Sequence, residues 1–312
     1  MLLRNRGFTV VALATLALGI GANSAMFIVL DAVLLRMLPV REPARMFVVT
    51  EISPKEQGPA GLSWPSFQRL RASSAGIADL IATTRSARFN LRSPGGAIEP
   101  VEGQLVSGEF FPVLGVRAAA GRLLTADDNR DPGGHPVAVM SHGYWRRRHA
   151  ADAGVVGRAV ALNGTAFTIV GIAEPGFFGV RPGESPALWL PLVMQAELRY
   201  SQNAASSGGA DTRKPWPPQE DVRWLQAMAR TADPVATRAA LNVAFAQDVA
   251  RAAGRHSDRR ERDLAMQRRL DLEPGGRGFA ALRQRVETPV TALMAMTGLV
   301  LLIACANVAN LL

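Results

Sequence analysis

Apolar residues crowd into two uncharged stretches at opposite ends of the chain, Gly7 to Leu30 and Thr288 to Leu312, with polar and apolar residues mixed in between. A helix rises about 1.5 Å per residue, so roughly 20 apolar residues cross about 30 Å of hydrocarbon. Neither stretch contains Asp, Glu, Lys, Arg or His, and each is predicted to span a membrane. A secretory signal peptide competes for the first stretch, because Arg4 and Arg6 precede it and Ala22, Asn23 and Ser24 make a small-x-small sequence. The apolar character runs on through Met26 to Leu30, past the usual h-region of about 7 to 15 residues, which favours an uncleaved span. The second stretch competes only with a buried core helix. It reaches the last residue, so the chain is expected to be an N-terminal fragment of a larger protein.

Between the stretches the pattern predicts an α+β domain over 31–287. Met46 to Ile52 reads as a strand, Ser63 caps a helix through Phe67 and Leu70, and Ile77 to Thr84 reads as a second strand. The arrangement recurs later: Val222 to Arg230 is strand-like, and Asp233-Pro234 opens a helix whose stripe is Leu241, Phe245 and Val249 before Gly254. Leu264 to Leu272 then reads as a strand. Two split βαβ units predict one lobe assembled from about 42–88 and 221–287. Residues 89–200, with short alternating strands and frequent Gly and Pro, predict an inserted β-rich lobe, and Ser/Gly/Pro-rich 201–220 a flexible loop. Asn163-Gly164, between two alternating runs, is the preferred two-residue hairpin turn, which accounts for the Asn163-to-Thr165 glycosylation sequon without a sugar.

Charge and composition narrow the chemistry. The net charge of +9 comes from scattered arginines, with Lys55 and Lys214 the only lysines, and aromatics are 6% of the chain. Clusters at Arg146 to Arg148 and Arg255 to Arg269 lack interleaved aromatic stacking platforms, so they read as solvated basic faces and no nucleic-acid partner is expected. Cys305, the single cysteine, lies in the second apolar stretch and leaves the central domain without a disulfide or thiolate metal site. Arg4 and Arg6 precede the first stretch, Arg36, Arg41 and Arg45 follow it and Arg277, Arg283 and Arg285 precede the second, so counting slightly favours a cytoplasmic loop, but long loops translocate largely regardless of charge and charge alone leaves the orientation open. The sequence holds no Gly-x-x-x-x-Gly-Lys-Ser/Thr loop, His-Glu-x-x-His, Cys-x-x-Cys or Gly-x-Ser-x-Gly. Asp127, Asn129 and Asp131 imitate the start of a calcium loop, but Pro132 and Ala138 occupy positions that require Gly and Glu, and a solvated acidic turn is expected. His135, His142 and His149 recur at intervals of seven among turns and read as separate surface residues. No catalytic, cofactor or metal residue is assigned. Within the apolar stretches, Gly19, Gly21, Asn307 and Asn310 are candidate helix-packing positions, since small residues permit close approach and an amide in hydrocarbon seeks a partner helix. Pro289 is the candidate kink through which the second helix couples to the domain.

An ordered series of segments carries a resemblance: Gly108-Glu-Phe-Phe-Pro-Val-Leu-Gly-Val116, Gly121-Arg-Leu-Leu-Thr-Ala-Asp-Asp128, Pro136-Val-Ala-Val-Met-Ser-His-Gly-Tyr-Trp-Arg-Arg-Arg148, Val156-Gly-Arg158, Leu162-Asn-Gly164 and Ile169-Val-Gly-Ile-Ala-Glu-Pro-Gly-Phe177. Together with Leu16 to Asn23 and Leu302 to Leu312, they resemble MacB-like and FtsX-like ABC transporter permeases, most closely the acidobacterial duplicated orphan type that lacks a fused ATPase. The resemblance implies a bacterial inner-membrane subunit with a cytoplasmic N-terminus at 1–6 and helices at 7–30 and 288–312. It further implies a periplasmic core domain with porter-like and inserted lobes, and a mechanical relay driven by a separately encoded ABC ATPase. Membrane lipid and a second permease half, or a second copy of the chain, are the other implied partners. The chain departs from the family in lacking a basic amphipathic segment before the first span. A membrane-tethered binding module without transport activity is the alternative reading.

Overall fold

The computed structural model describes residues 36–54, 57–202, 204–206, 210–255 and 257–279, with isolated helical positions at 17, 20, 21, 24, 25, 296, 298, 299 and 302. The chain divides into a compact unit, Leu38–Gly278, and a second unit made of Met1–Met37 and Phe279–Leu312. Among the described residues no helix is long and apolar enough to cross a membrane. The spans predicted at 7–30 and 288–312 lie largely outside the described residues.

In chain order the Leu38–Gly278 unit opens with β1 (Met46–Ile52), β2 (Gln57–Pro59), α1 (Trp64–Ser73) and β3 (Ala78–Thr83). Ser63 begins α1 as expected, its hydroxyl accepting from the Ser66 amide at 3.3 Å. Then come β4 (Ala87–Arg92), β5 (Ile98–Val106), α2 (Phe110–Leu114), β6 (Ala118–Gly121), β7 (Val137–Met140), α3 (His142–His149), β8 (Ala159–Leu162), β9 (Thr165–Ala173), β10 (Leu188–Pro191) and the two-residue β11 (Ala205–Ser206) and β12 (Val222–Arg223). The chain closes with β13 (Gln226–Thr231), α4 (Pro234–Ala253), α5 (Arg259–Met266) and β14 (Arg269–Pro274). Asp233 caps α4 through the Ala236 amide at 2.9 Å, and proline stands at its first turn, where a missing N–H costs nothing.

Both ends of this unit build one antiparallel sheet, ordered β14-β1-β13-β3. This is the interleaving that two split βαβ units produce. Side chains alternate across the strands, so Val49, Leu80, Ala82, Ala227, Ala229 and Leu270 join a core with Phe67, Leu70, Leu241 and Phe245 from α1 and α4. Met46, Val48, Ile81 and Met228, the alternate positions, are buried on the opposite face, where α2 packs against β3.

The strands from the middle of the chain close a circuit. Hydrogen bonding runs β10-β7-β9-β8-β4-β5, and β5 then pairs in parallel with β10, Gly103 opposite Leu188 through Val106 opposite Pro191. A ring of six strands results, without a free edge among them. The Asn163-Gly164 turn joins β8 to β9 with φ of 49° and 94°, and the Asn163 amide is used at both ends: its oxygen accepts from the Asn90 N–H at 2.9 Å and its nitrogen donates to the Leu198 carbonyl at 2.7 Å. The ring joins the outer sheet where Thr83 lies opposite Val106, flanked by the Thr84 N–H donating to the Leu105 carbonyl at 3.0 Å and the Ser107 N–H donating to the Ala82 carbonyl at 2.9 Å.

Three local expectations are corrected. Leu264 to Leu272 is not one strand, because Asp258 accepts from the Arg260 and Glu261 amides and starts α5, which runs to Met266 before β14 begins. Val222 to Arg230 is interrupted at Trp224 and Leu225, where Leu225 bridges to Leu62 instead of continuing a strand. The acidic turn is not wholly solvated, because Asp128 and Asn129 are buried. Asp128 accepts paired bonds from Arg122 at 2.7 and 2.8 Å, and Asn129 donates to the Val106 carbonyl at 3.3 Å.

Candidate functional site

Two chain links connect the outer lobe to the ring, Thr84 to Ser86 on the way out and Trp224 to Gln226 on the way back, and a buried polar cluster holds both. Arg181, 4% exposed, comes from the loop between β9 and β10. Its Nε donates to the Thr84 carbonyl at 3.2 Å, and one terminal nitrogen donates to the Gln226 side-chain oxygen. Gln104, from β5, donates to the same Thr84 carbonyl at 2.8 Å, and the Tyr200 hydroxyl donates to the Arg85 carbonyl at 3.1 Å. Glu184 accepts from the Ser86 amide and hydroxyl at 3.2 and 2.6 Å. Burial pushes the Arg181 guanidinium down to about 10, against the attraction of Glu184, so it stays a cation at neutral pH. Burial likewise pushes the Tyr200 phenol up to about 12, which keeps its proton available for donation. The rings of Tyr200, Trp216 and Trp224 pack at centroid distances of 5.6 to 6.1 Å and wall the return link with apolar surface. One buried cation is thus hydrogen-bonded to both links.

A second polar cluster ties Glu220, just before the return link, to the helices. Arg69 of α1 makes paired bonds to Glu220 at 2.7 Å and a further bond to Asp248 of α4, which also accepts from Ser66. Arg251, one turn on, reaches Glu220 at 3.0 Å and Asp248 at 3.2 Å. Ser66, Glu220, Asp248 and Arg251 edge a cleft of about 400 Å³ to which Leu62 and Phe245 contribute apolar wall. Donation by Arg69 holds the Glu220 carboxyl below its ordinary 4.5, with burial opposing. The sign follows from a lowered folded value: stability from Glu220 is fully present above pH 4.5 and is lost as pH falls through the folded value. Glu220→Gln is therefore expected to flatten the fall in unfolding free energy below about pH 4.5, measured by denaturant titration at stepped pH; an unchanged slope would assign acid sensitivity elsewhere.

Among the residues singled out in sequence, Gly19, Pro289, Asn307 and Asn310 lie outside the described residues. Gly21 is helical and exposed, with nothing within 4 Å of the place a Cβ would occupy. His135 lies 3.6 Å from Asp131, His142 packs on Trp145 and His149 on Tyr144, so the three do not converge. Among the described residues no group of three His, Cys, Asp or Glu is placed to hold a metal. The basic clusters are partly neutralised: Arg148 pairs with Glu99, Arg255 with Asp221 and Arg268 with Glu51. Sequence reading missed Arg181 and Gln104, since neither belongs to a motif and both act through distant backbone carbonyls. The signal available was an arginine and a glutamine in otherwise apolar strand-and-turn sequence.

Gly108 and Gly171 converge on one place. A Cβ on Gly108 would fall on the backbone of Thr125 and Ala126, and one on Gly171 would fall on the backbone of Arg122. Both glycines thus make room for the turn that Arg122, Thr125 and Asp128 lock with a capping box.

Comparison with known proteins gives a family match. The family model described as MacB-like periplasmic core domain matches residues 9–244. Among solved structures, the chain is similar to a domain assigned to a permease from Porphyromonas gingivalis, at 17% identity and TM-score 0.46, covering 79% of this chain and 98% of that one. It is similar to the extracellular domain of the noncanonic ABC-type transporter YknZ from Gram-positive bacteria, at 11% and 0.46, covering 72% and 98%. It is also similar to the periplasmic region of MacB from Actinobacillus actinomycetemcomitans, at 13% and 0.45, covering 78% and 94%. No curated protein matches.

Proposed function

Since the chain belongs to the MacB-like periplasmic core domain family of ABC transporter permeases, we propose that it is the membrane-anchored, periplasmic part of such a permease and works as a mechanical relay. The observation that carries this reading is the meeting of the unit's two ends. The Leu38 N–H donates to the Gly276 carbonyl at 2.8 Å, and the Gly275 N–H to the Met46 carbonyl at 2.7 Å, so the segments leading to both apolar stretches leave at one place. Both lead directly into β1 and β14, which pair along Phe47 to Ile52. Displacement of either apolar helix would load the outer sheet, and through the Arg181 cluster the ring. Two helices crossing the inner membrane, with Gly19, Gly21, Asn307 and Asn310 packing against other helices and Pro289 as the flexing point, complete the relay. A separately encoded ATPase would supply the work, and a second permease half or second copy the counterpart. The exposed apolar side chains Ile20, Met296, Leu299 and Leu302 support placement in lipid.

Topology mapping tests the placement. A single cysteine at Val243, 75% exposed on α4, in a chain also carrying Cys305→Ala, is expected to react with a membrane-impermeant maleimide in intact spheroplasts while the chain stays with the membrane after alkaline extraction. Labelling only after permeabilisation, or recovery of the chain as a soluble species, would overturn the reading.

A further inference from the structure

The end of the unit where its termini meet carries a cleft of about 540 Å³ that the relay does not use. The register places it there: Met46 opens β1 opposite Arg230, and Thr231 lies opposite Ala78 at the start of β3. Arg41, Arg45 and Arg230 line the cleft with Glu42, Ile77 and Asp79. Arg230 is fixed, its side chain 10% exposed, donating to the Val113 carbonyl at 2.5 Å and to Glu42 at 2.7 Å. Arg41 and Arg45 are 69% and 55% exposed and approach Glu42 only to 3.9 and 3.4 Å. The Glu42 carboxylate thus sits where three guanidinium groups converge. Its backbone adopts φ 48°, ψ 60°, a left-handed conformation rare for a residue of this type.

The surroundings are those of an interface. Ile77 on the cleft wall is 42% exposed, and Val235, just past the lining residue Ala232, is 66% exposed. Only a short segment separates Arg41 from Leu30, the end of the first apolar stretch. Guanidinium groups match phosphate oxygens with paired donors, and apolar side chains beside them rest at the headgroup boundary.

We propose that this cleft binds the phosphodiester headgroup of an anionic phospholipid in the leaflet facing the domain, with Arg41 and Arg45 turning from Glu42 onto the phosphate. Arg230 remains anchored to Val113 and holds the base of the site, while Ile77 and Val235 lie against lipid. Glu42 occupies the arginines when no lipid does and so sets the affinity. This rests on the membrane placement proposed above.

The test uses the full chain in nanodiscs of phosphatidylcholine alone or with phosphatidylglycerol added, read by hydrogen exchange at 41–45 and 77–79 and by native mass spectrometry of retained lipid. Phosphatidylglycerol is expected to protect both segments and to be retained. An arginine near an anionic surface is worth about fivefold in affinity, so Arg41→Ala with Arg45→Ala should weaken retention about 25-fold. Glu42→Gln, which keeps an acceptor for Arg230 but removes the competing charge, should strengthen it about fivefold, a sign that mere loss of structure would not give. Equal protection in both lipids, or variants that retain phosphatidylglycerol like the parent, would overturn the proposal while leaving the placement intact. Protection by soluble glycerol phosphate equal to that by the bilayer would overturn the lipid source. A chain that enters neither kind of disc overturns the placement and the site together.

Discussion

Arg181→Ala is expected to lower the unfolding free energy by about 3–5 kcal/mol, the usual cost of removing one partner from a buried charged cluster. The side chain is 4% exposed, and its loss leaves the Gln226 oxygen without that donor and Glu184 without its nearby cation. Thr84 would keep the Gln104 bond, so the outgoing link should hold better than the return link. For a unit of this size each kcal/mol moves the melting temperature by about 2–4 °C, so a fall on the order of 10 °C should appear in thermal unfolding of the detergent-solubilised chain. Arg181→Lys keeps the charge but loses the planar fork, and should fall between the two. A loss below about 1 kcal/mol, the size of an ordinary hydrogen bond, would mean that the aromatic trio alone holds the junction.

Gly171→Val is expected to cost on the order of 3 kcal/mol or more, because the added carbon meets main chain and not a movable side chain. Gly171 lies opposite Gly121 in β6 and opposite Val139 in β7, so β9 is flanked on both sides and cannot shift away. The Arg122 backbone, hydrogen-bonded to Val170 at 2.9 Å, has to lift instead, and with it the Asp128 lock. Denaturant unfolding of the variant should show the lowered midpoint, and hydrogen exchange should show lost protection centred on 121–129. Wild-type behaviour in both would refute the close approach as the reason for glycine at this position.

Local chemistry made the outer lobe and one hairpin of the ring legible. Ser63, Asp233-Pro234 and Asn163-Gly164 each satisfy orphan backbone groups or a required φ within a few residues, and each does so where the sequence places it. α5 was misread because its single buried side chain, Ala265, gives no apolar stripe, and the capping by Asp258 that starts it outweighs the apolar Leu264, Leu270 and Leu272 that imitate a strand. The break at Trp224 was hidden for another reason. Trp224 and Leu225 are adjacent apolar residues that break the alternation, but Tyr200 and Trp216, the aromatic partners of Trp224, are distant in sequence. Closure of the ring was equally out of reach, since the parallel pairs β5 with β10 and β7 with β9 join segments with no shared local signal. The Arg181 cluster depends on that closure, so it too emerged only from the assembled fold.

The ring is inserted between Thr83 and Gln226, two residues that lie opposite each other in the outer sheet. Pairing β3 with β13 before the ring exists would require closing a loop of everything between them, and loop-closure entropy grows with the logarithm of that length. Once the ring has folded, its two links already emerge side by side, and the same pairing closes an effective loop of only a few residues, a saving of about 3 kcal/mol by the same logarithm. The connectivity therefore favours an order of assembly in which the inner segment closes before the outer strands pair around it, although the first of those strands leaves the ribosome earliest.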